Sequence, residues 1–171
     1  LPVMVPGPEA DAEAERFLDG IGPAPWAAVH PGAGKAENQW PPEFFARAIE
    51  ALEEWGASVY LIEGPADAPA TGATLTALGA SRPVLRGVSL RVVGAALARS
   101  HVALVNDTGV MHVAGAVGVP ALALFGPTPR DSWAPPSPEL EALQSPDGEM
   151  ASLGPDVVLP HLQERWERGR R

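Results

Sequence analysis

The stretch Val105-Asn106-Asp107-Thr108-Gly109-Val110-Met111-His112-Val113-Ala114-Gly115-Ala116 decides how this chain is read, together with its continuation Val119-Pro120-Ala121-Leu122-Ala123-Leu124-Phe125-Gly126-Pro127-Thr128. An apolar run over 102–105 ends in Asn-Asp-Thr-Gly, a small-residue helical pattern follows, and a second apolar run ends in Gly-Pro-Thr. The order is strand, polar turn, helix, strand. The turn puts Asp107, the Thr108 hydroxyl and the free N–H groups of 108–110 at a helix N-terminus. Unpaired donors and the positive end of the helix dipole suit a phosphate or diphosphate there. His112 lies four residues after Thr108 and is expected on the face that looks back toward the turn. Read singly, Asp107 or Thr108 is an N-cap, His112 is an ordinary histidine, and Gly109, Gly115 and Gly118 serve close helix–sheet packing. Read together with the second loop at Gly126-Pro127-Thr128, they put two polar loops at one sheet edge. Parallel sheets bind ligands at that carboxyl edge.

Working outward, strands alternate with helices along most of the chain. Residues 1–25 read as a Pro-rich linker followed by a short surface helix over 9–20, and 26–171 as one domain. Within it, Trp26-Ala27-Ala28-Val29-His30 is a strand. Pro41-Pro42 opens a helix carrying Phe44, Phe45, Ala48, Ile49, Leu52 and Trp55 at helical spacing. A second strand covers 58–62, a helix 71–79, and a short strand 83–85. Ser89 caps a helix over 90–99 whose Leu90, Val93, Ala96 and Leu97 point inward. After 126–138, a Pro-rich loop with Arg130, Asp131 and Trp133, a final helix spans 155–168. This alternation specifies an α/β fold, a Rossmann-like doubly wound parallel sheet.

Composition narrows the function classes. Among 171 residues, 46% are hydrophobic and 19% charged, which fits one globular domain with a core and excludes a disordered chain. No apolar run approaches the roughly 18–20 residues that span a bilayer. The chain starts at Leu1 without a basic segment and apolar core, so no signal peptide is expected in it, and it reads as a fragment or processed piece. Cysteine is absent, which excludes disulfides and thiolate zinc sites. The four histidines, 30, 101, 112 and 161, lack metal-ligand spacing, and no metal site is expected. A net charge of −9 argues against nucleic acid as a partner. Arg165, Arg168, Arg170 and Arg171 form a basic C-terminal run, either a solvated helix tail or a contact for anionic lipid.

Lysine occurs once, at Lys35, inside the second rich segment, His30-Pro31-Gly32-Ala33-Gly34-Lys35-Ala36-Glu37-Asn38-Gln39-Trp40-Pro41. Gly32 and Gly34 let backbone N–H groups approach an anion, and Lys35 can neutralise a phosphate as a point charge. The alternative is a plain strand-to-helix loop with a solvated lysine. The segment is neither a Walker loop, because Ala36 follows the lysine, nor a Rossmann glycine fingerprint.

The two motifs together resemble the C-terminal half of glycosyltransferase family 9, the heptosyltransferases of the lipopolysaccharide core. The residues that carry the likeness are Pro31 to Ala33, Trp40-Pro41, Phe45-Ala46, Asp107-Thr108-Gly109, His112, Ala114, Ala116, Pro120 and Phe125 to Thr128. The resemblance implies the C-terminal, donor-binding domain of a GT-B enzyme, with the N-terminal acceptor domain and its catalytic carboxylate outside this chain. It implies a nucleoside-diphosphate sugar as substrate, ADP-heptose foremost, with no cofactor and no metal. It also implies a glycolipid acceptor and work in the cytoplasm, peripheral at the inner membrane face. By the same resemblance Asp107, Thr108, Gly109 and His112 lie against the diphosphate and sugar. Gly32, Ala33, Gly34 and Lys35 lie near the phosphates, and Glu63 or Asp67 near adenine and ribose. His112 and Lys35 become candidate stabilisers of the leaving group. Asn38 stands where family members commonly carry a lysine that contacts the leaving phosphate, so Lys35 is the expected substitute. The family's C-terminal cysteines are absent. Two other readings stay open: a non-catalytic nucleotide-binding module, and a sugar-nucleotide epimerase of GT-B-like fold built on His112 with Glu63 or Asp67.

Overall fold

In the computed structural model, which describes residues 2–169, six strands form one all-parallel sheet. The elements in chain order are α1 (Pro8–Ile21), β1 (Trp26–His30), α2 (Pro42–Glu54), β2 (Ser58–Glu63), α3 (Ala68–Leu78), β3 (Val84–Arg86), α4 (Leu90–Arg99), β4 (Val102–Asn106), α5 (Gly109–Val117), β5 (Ala121–Phe125), α6 (Arg130–Trp133), β6 (Leu140–Gln144) and α7 (Pro155–Gly169). The strand order is β3-β2-β1-β4-β5-β6. Winding runs outward from β1 to β3, then crosses back to β4 and continues to β6. The reversal lies between β1 and β4, which pair with His30 opposite Val105. Their carboxyl ends therefore open a crevice at the switch point, where ligands of doubly wound folds sit.

Period-2 alternation along the strands feeds two cores. Ala28, Tyr60, Ile62, Ala103, Val105 and Ala123 face α1, α4 and α5. Ala27, Val29, Leu61, Leu104, Leu122 and Leu124 face the other way, with α2 and α7. Buried on both sides, β4 up to Val105 and β5 read as unbroken apolar runs. Burial also pushes the Tyr60 phenol above its ordinary range. Ser100 donates to the Ala96 carbonyl, so Tyr60 in turn donates to Ser100 at 2.9 Å.

Helix ends follow local chemistry. Ser89 accepts from the Val92 N–H at 3.3 Å and caps α4 as expected. Pro42 fits the first turn of α2. Gly118, at φ 74°, ends α5 in the left-handed region open to glycine.

The structure departs from the sequence reading in three places. Leu90 is 61% exposed rather than inward, because it lines the open crevice at the carboxyl edge of the sheet, while Val93, Ala96 and Leu97 are buried. The segment after 126–138 contains an unexpected edge strand, β6, paired in parallel with β5. Inside that Pro-rich loop a single helical turn, α6, forms. Of the basic run, Arg165 and Arg168 lie on α7, and Arg170 and Arg171 lie outside the described residues. Among the described residues no helix is long and apolar enough to cross a membrane.

Candidate functional site

Two crevices flank the N-terminus of α5. The first, about 220 Å³, is lined by His30, Ala33, Gly34, Asp67, Leu90, Thr108, Gly109 and Val110. The second, about 520 Å³, is lined by Lys35, Glu37, Asn38, Asp107, Pro127, Thr128, Pro129 and Trp133. The sheet-edge loops expected to converge do so: the loop after β1 supplies both crevices, the turn after β4 separates them, and the loop after β5 closes the second.

Asn106 holds this arrangement from beneath. It is fully buried at the end of β4. Its Nδ2 donates to the Pro31 and Gly32 carbonyls, both at 3.1 Å, and its Oδ1 accepts from the Trp40 N–H at 3.2 Å. One amide thus pins both ends of the glycine-rich loop. Trp40 is itself buried, donates from Nε1 to the Leu153 carbonyl at 2.7 Å, and packs edge-on against Phe45.

In the first crevice three elements meet in a polar chain. Asp67 Oδ2 lies 2.8 Å from His30 Nε2 and also accepts from the Gly64 N–H at 2.8 Å. His30 Nδ1 lies 3.3 Å from the Thr108 hydroxyl. A Cβ on Gly32 would run into the Asp67 carboxylate, so this glycine is required by close approach. The His30 hydrogen bond is the main cause that holds the Asp67 carboxyl below the usual carboxylate range. Burial opposes it, and the Gly64 N–H assists. Because the folded value is depressed, the stabilisation is present above about pH 4, where a free aspartate is ionised. It is lost as pH falls through the lower folded value. Asp67→Asn should therefore destabilise the chain near neutrality, and the gap from wild type should close towards pH 3. Urea unfolding at pH 7, 5 and 3 checks this, and a gap independent of pH would rule it out.

The helix terminus offers what the turn promised, in altered detail. Thr108 occupies the N-cap position of α5 with no side-chain capping bond, its hydroxyl being engaged by His30 instead. The N–H groups of Gly109 and Val110 have no partner within the helix and open on the first crevice. Asp107 is half-buried across from Lys35, which is exposed and begins a 3-10 turn over Ala36–Asn38. Asn38 is buried and its Oδ1 accepts from Thr128 Oγ1 at 3.4 Å.

Of the residues singled out from sequence, Ala33, Gly34, Asp67, Thr108 and Gly109 line the first crevice, and Lys35, Asn38 and Asp107 the second. Gly32 lies beneath them. Glu63 lines neither, and pairs with Arg86 at 3.4 Å on the neighbouring strand. His112 is exposed one turn along α5 and lines neither crevice. His30, Asn106, Leu90 and Trp133 were missed. His30 and Asn106 both end strands at the carboxyl edge, a signal the sequence does carry.

Away from the crevices, Glu141, His161 and Glu164 bring ligand atoms within 4.8 Å of one another, a grouping that histidine spacing alone did not show. Glu141 there is already matched by His161 at 2.6 Å and Arg165 at 3.3 Å.

Comparison with known proteins gives a consistent result. The family model of glycosyltransferase family 9 (heptosyltransferase) matches residues 7–161. The chain is 32% identical over 116 residues to lipopolysaccharide heptosyltransferase 1 of Pseudomonas aeruginosa, covering 68% of this chain and 33% of that protein. It is 29% identical over 143 residues to lipooligosaccharide heptosyltransferase 2 of Haemophilus influenzae, covering 78% and 40% respectively. The chain thus spans between a third and two-fifths of these relatives. Among solved structures, a family 9 glycosyl transferase from Veillonella parvula superposes with a TM-score of 0.87 at 21% identity, over 98% of this chain and 54% of that one. The ADP-heptose LPS heptosyltransferase II of E. coli superposes with a TM-score of 0.84 at 22% identity, over 99% and 54%. These structural likenesses establish the shared fold.

Proposed function

Because this chain belongs to glycosyltransferase family 9, we propose that it is the donor-binding half of an inverting glycosyltransferase. In this reading it moves a heptose-like sugar from ADP-heptose to a lipopolysaccharide or other cell-envelope glycan. The observation that carries the reading is the pair of crevices around the α5 terminus at the sheet's switch point, one holding free helix N–H groups and the other the chain's single lysine.

The diphosphate lies across the terminus of α5. The N–H groups of Gly109 and Val110, the Ala33-Gly34 backbone and Lys35 receive its charge. Negative charge grows on the diphosphate as the glycosidic bond breaks, so donors fixed beforehand act mainly on the transition state. Lys35 takes the place of the family lysine at Asn38. Asp107 would repel the phosphates, so its role is to bind sugar hydroxyls. His112, one turn along, serves the departing group from outside the crevice. Glu63 faces the adenosine end. A complementary acceptor domain supplies the base that deprotonates the acceptor hydroxyl. Closure of the two domains excludes water and limits donor hydrolysis. The acceptor is a glycolipid at the cytoplasmic face of the inner membrane.

One observation favours a second reading, a nucleotide-binding module without transfer activity: the family's lysine position is filled by a buried amide tied to Thr128. The epimerase reading gains no support, since Glu63 and Asp67 already have cationic or imidazole partners.

Calorimetry with ADP, UDP and GDP tests the proposal. ADP should bind in preference, and Lys35→Ala should weaken it about tenfold, the loss of one charge-assisted contact. Asp107→Ala should leave ADP binding nearly unchanged while weakening ADP-heptose. Equal affinity for all three nucleotides in both variants would overturn the donor assignment.

A further inference from the structure

The site contains a buried titratable ring that the proposed transfer does not use. His30 is 3% exposed, between the Asp67 carboxylate on one side and the Thr108 hydroxyl on the other. An ionised carboxylate only accepts hydrogen bonds, so His30 Nε2 carries the hydrogen shared with Asp67. In the neutral ring Nδ1 is then bare and accepts from the Thr108 hydroxyl. The hydroxyl's hydrogen is consequently committed to the ring, and only its lone pairs remain for a ligand in the crevice.

A diphosphate also only accepts. Against the neutral ring, Thr108 would present lone pair to lone pair. If Nδ1 takes up a proton, it donates to Thr108 Oγ1, and the hydroxyl's own hydrogen is released towards the phosphate. Resting on the donor-site reading above, we propose that His30 is a positioning residue that couples uptake of a proton to binding of a nucleoside diphosphate, by reversing the Thr108 hydroxyl from acceptor-facing to donor-facing.

The surroundings permit this reversal. Asp67 stays ionised across the histidine range, because its carboxyl is held below the usual value. No other titratable group lines this crevice; the remaining walls are Ala33, Gly34, Leu90, Gly109 and Val110. Lys35, Glu37 and Asp107 face the neighbouring crevice. Binding that takes up a proton is favoured at lower pH, so affinity should rise as pH falls.

The experiment is calorimetry of ADP-glucose binding to the 171-residue chain. The phosphates of this probe are esterified on both sides and do not titrate near neutrality. Titrations at pH 7 in two buffers of different ionisation enthalpy read proton uptake, and titrations at pH 6 and pH 8 read affinity. The expected result is net uptake of a fraction of one proton and affinity about tenfold weaker at pH 8 than at pH 6. Thr108→Val keeps the shape and removes the hydroxyl, and His30→Gln removes the titrating ring. Both should abolish uptake and flatten the pH profile, whereas a merely structural His30 would weaken binding with the profile intact. Binding without uptake, or uptake surviving in both variants, overturns this inference and leaves the donor site standing. Absence of binding by the folded chain overturns both.

Discussion

Asn106→Ala is expected to cost about 3 kcal/mol of stability and to weaken nucleotide binding about a hundredfold. The side chain is fully buried and makes three hydrogen bonds, all to backbone. Removing it strands the Pro31 and Gly32 carbonyls and the Trp40 N–H, and each buried unsatisfied group costs about 1–3 kcal/mol. Partial collapse and water entry return some of that, which sets the figure near the lower end of the sum. The binding loss follows from geometry. Pro31 and Gly32 carry Ala33, Gly34 and Lys35 directly behind them, so releasing two carbonyls frees the whole segment that lines the two crevices. Asn106→Asp separates shape from chemistry: it is nearly isosteric but turns a carboxylate oxygen towards two carbonyl oxygens, and should be at least as damaging. Urea unfolding gives the first number and ADP calorimetry the second. Changes within about 0.5 kcal/mol for both variants, the range of ordinary surface substitutions, would show that the loop holds itself.

That residue marks how far the sequence could be read. The strand–turn–helix–strand unit was legible because β4 up to Val105 and all of β5 are apolar and bounded by polar turns, and the observed β1 and α4 match the spans read from sequence. The carboxyl edge of the sheet, where both crevices open, was legible too, since it follows from strand direction alone. β6 was not, because Leu140-Glu141-Ala142-Leu143-Gln144 is half-buried throughout and shows no clean alternation. Its place is set by pairing with β5 and by Gln144, which donates to the Gly126 carbonyl and accepts from the Arg130 N–H. These are long-range facts. Leu90 was misplaced for a related reason: helical spacing gives a face, but not where that face opens onto a crevice. Within the site, Ala33, Gly34, Lys35, Asp107, Thr108 and Gly109, singled out for a phosphate, line the crevices and His112 does not, while His30 and Asn106, which act through other residues, were not singled out. Asn106 reads as one more polar turn residue until its partners 66 to 75 positions away are known. Asp67 shows the converse, a residue offered as an alternative to Glu63 near adenine and ribose that the fold has joined to His30.

Trp40→Ala should lower stability by about 4 kcal/mol, the largest single effect expected in this chain. The indole is 1% exposed, packs edge-on to Phe45 at 5.0 Å and Phe44 at 5.6 Å, and donates to the Leu153 carbonyl. Deleting a buried tryptophan costs about 3–5 kcal/mol through lost burial and the cavity left behind. Trp40→Phe keeps most of the packing and removes the Leu153 bond, so it should cost about 1–2 kcal/mol. The informative measurement is the double variant. The Trp40 backbone N–H is held by Asn106, and its side chain is held by the segment that leads into α7. If the loop is clamped between these two anchors, releasing one lessens what the other can contribute. Asn106→Ala combined with Trp40→Phe should then cost less than the sum of the single changes, by about 1 kcal/mol, within the range seen for residues sharing a partner. Strict additivity in urea unfolding would mean that the anchors act separately. The loop's position would then be fixed from β4 alone, and Trp40 would be a core residue with no hold on the crevice-lining backbone.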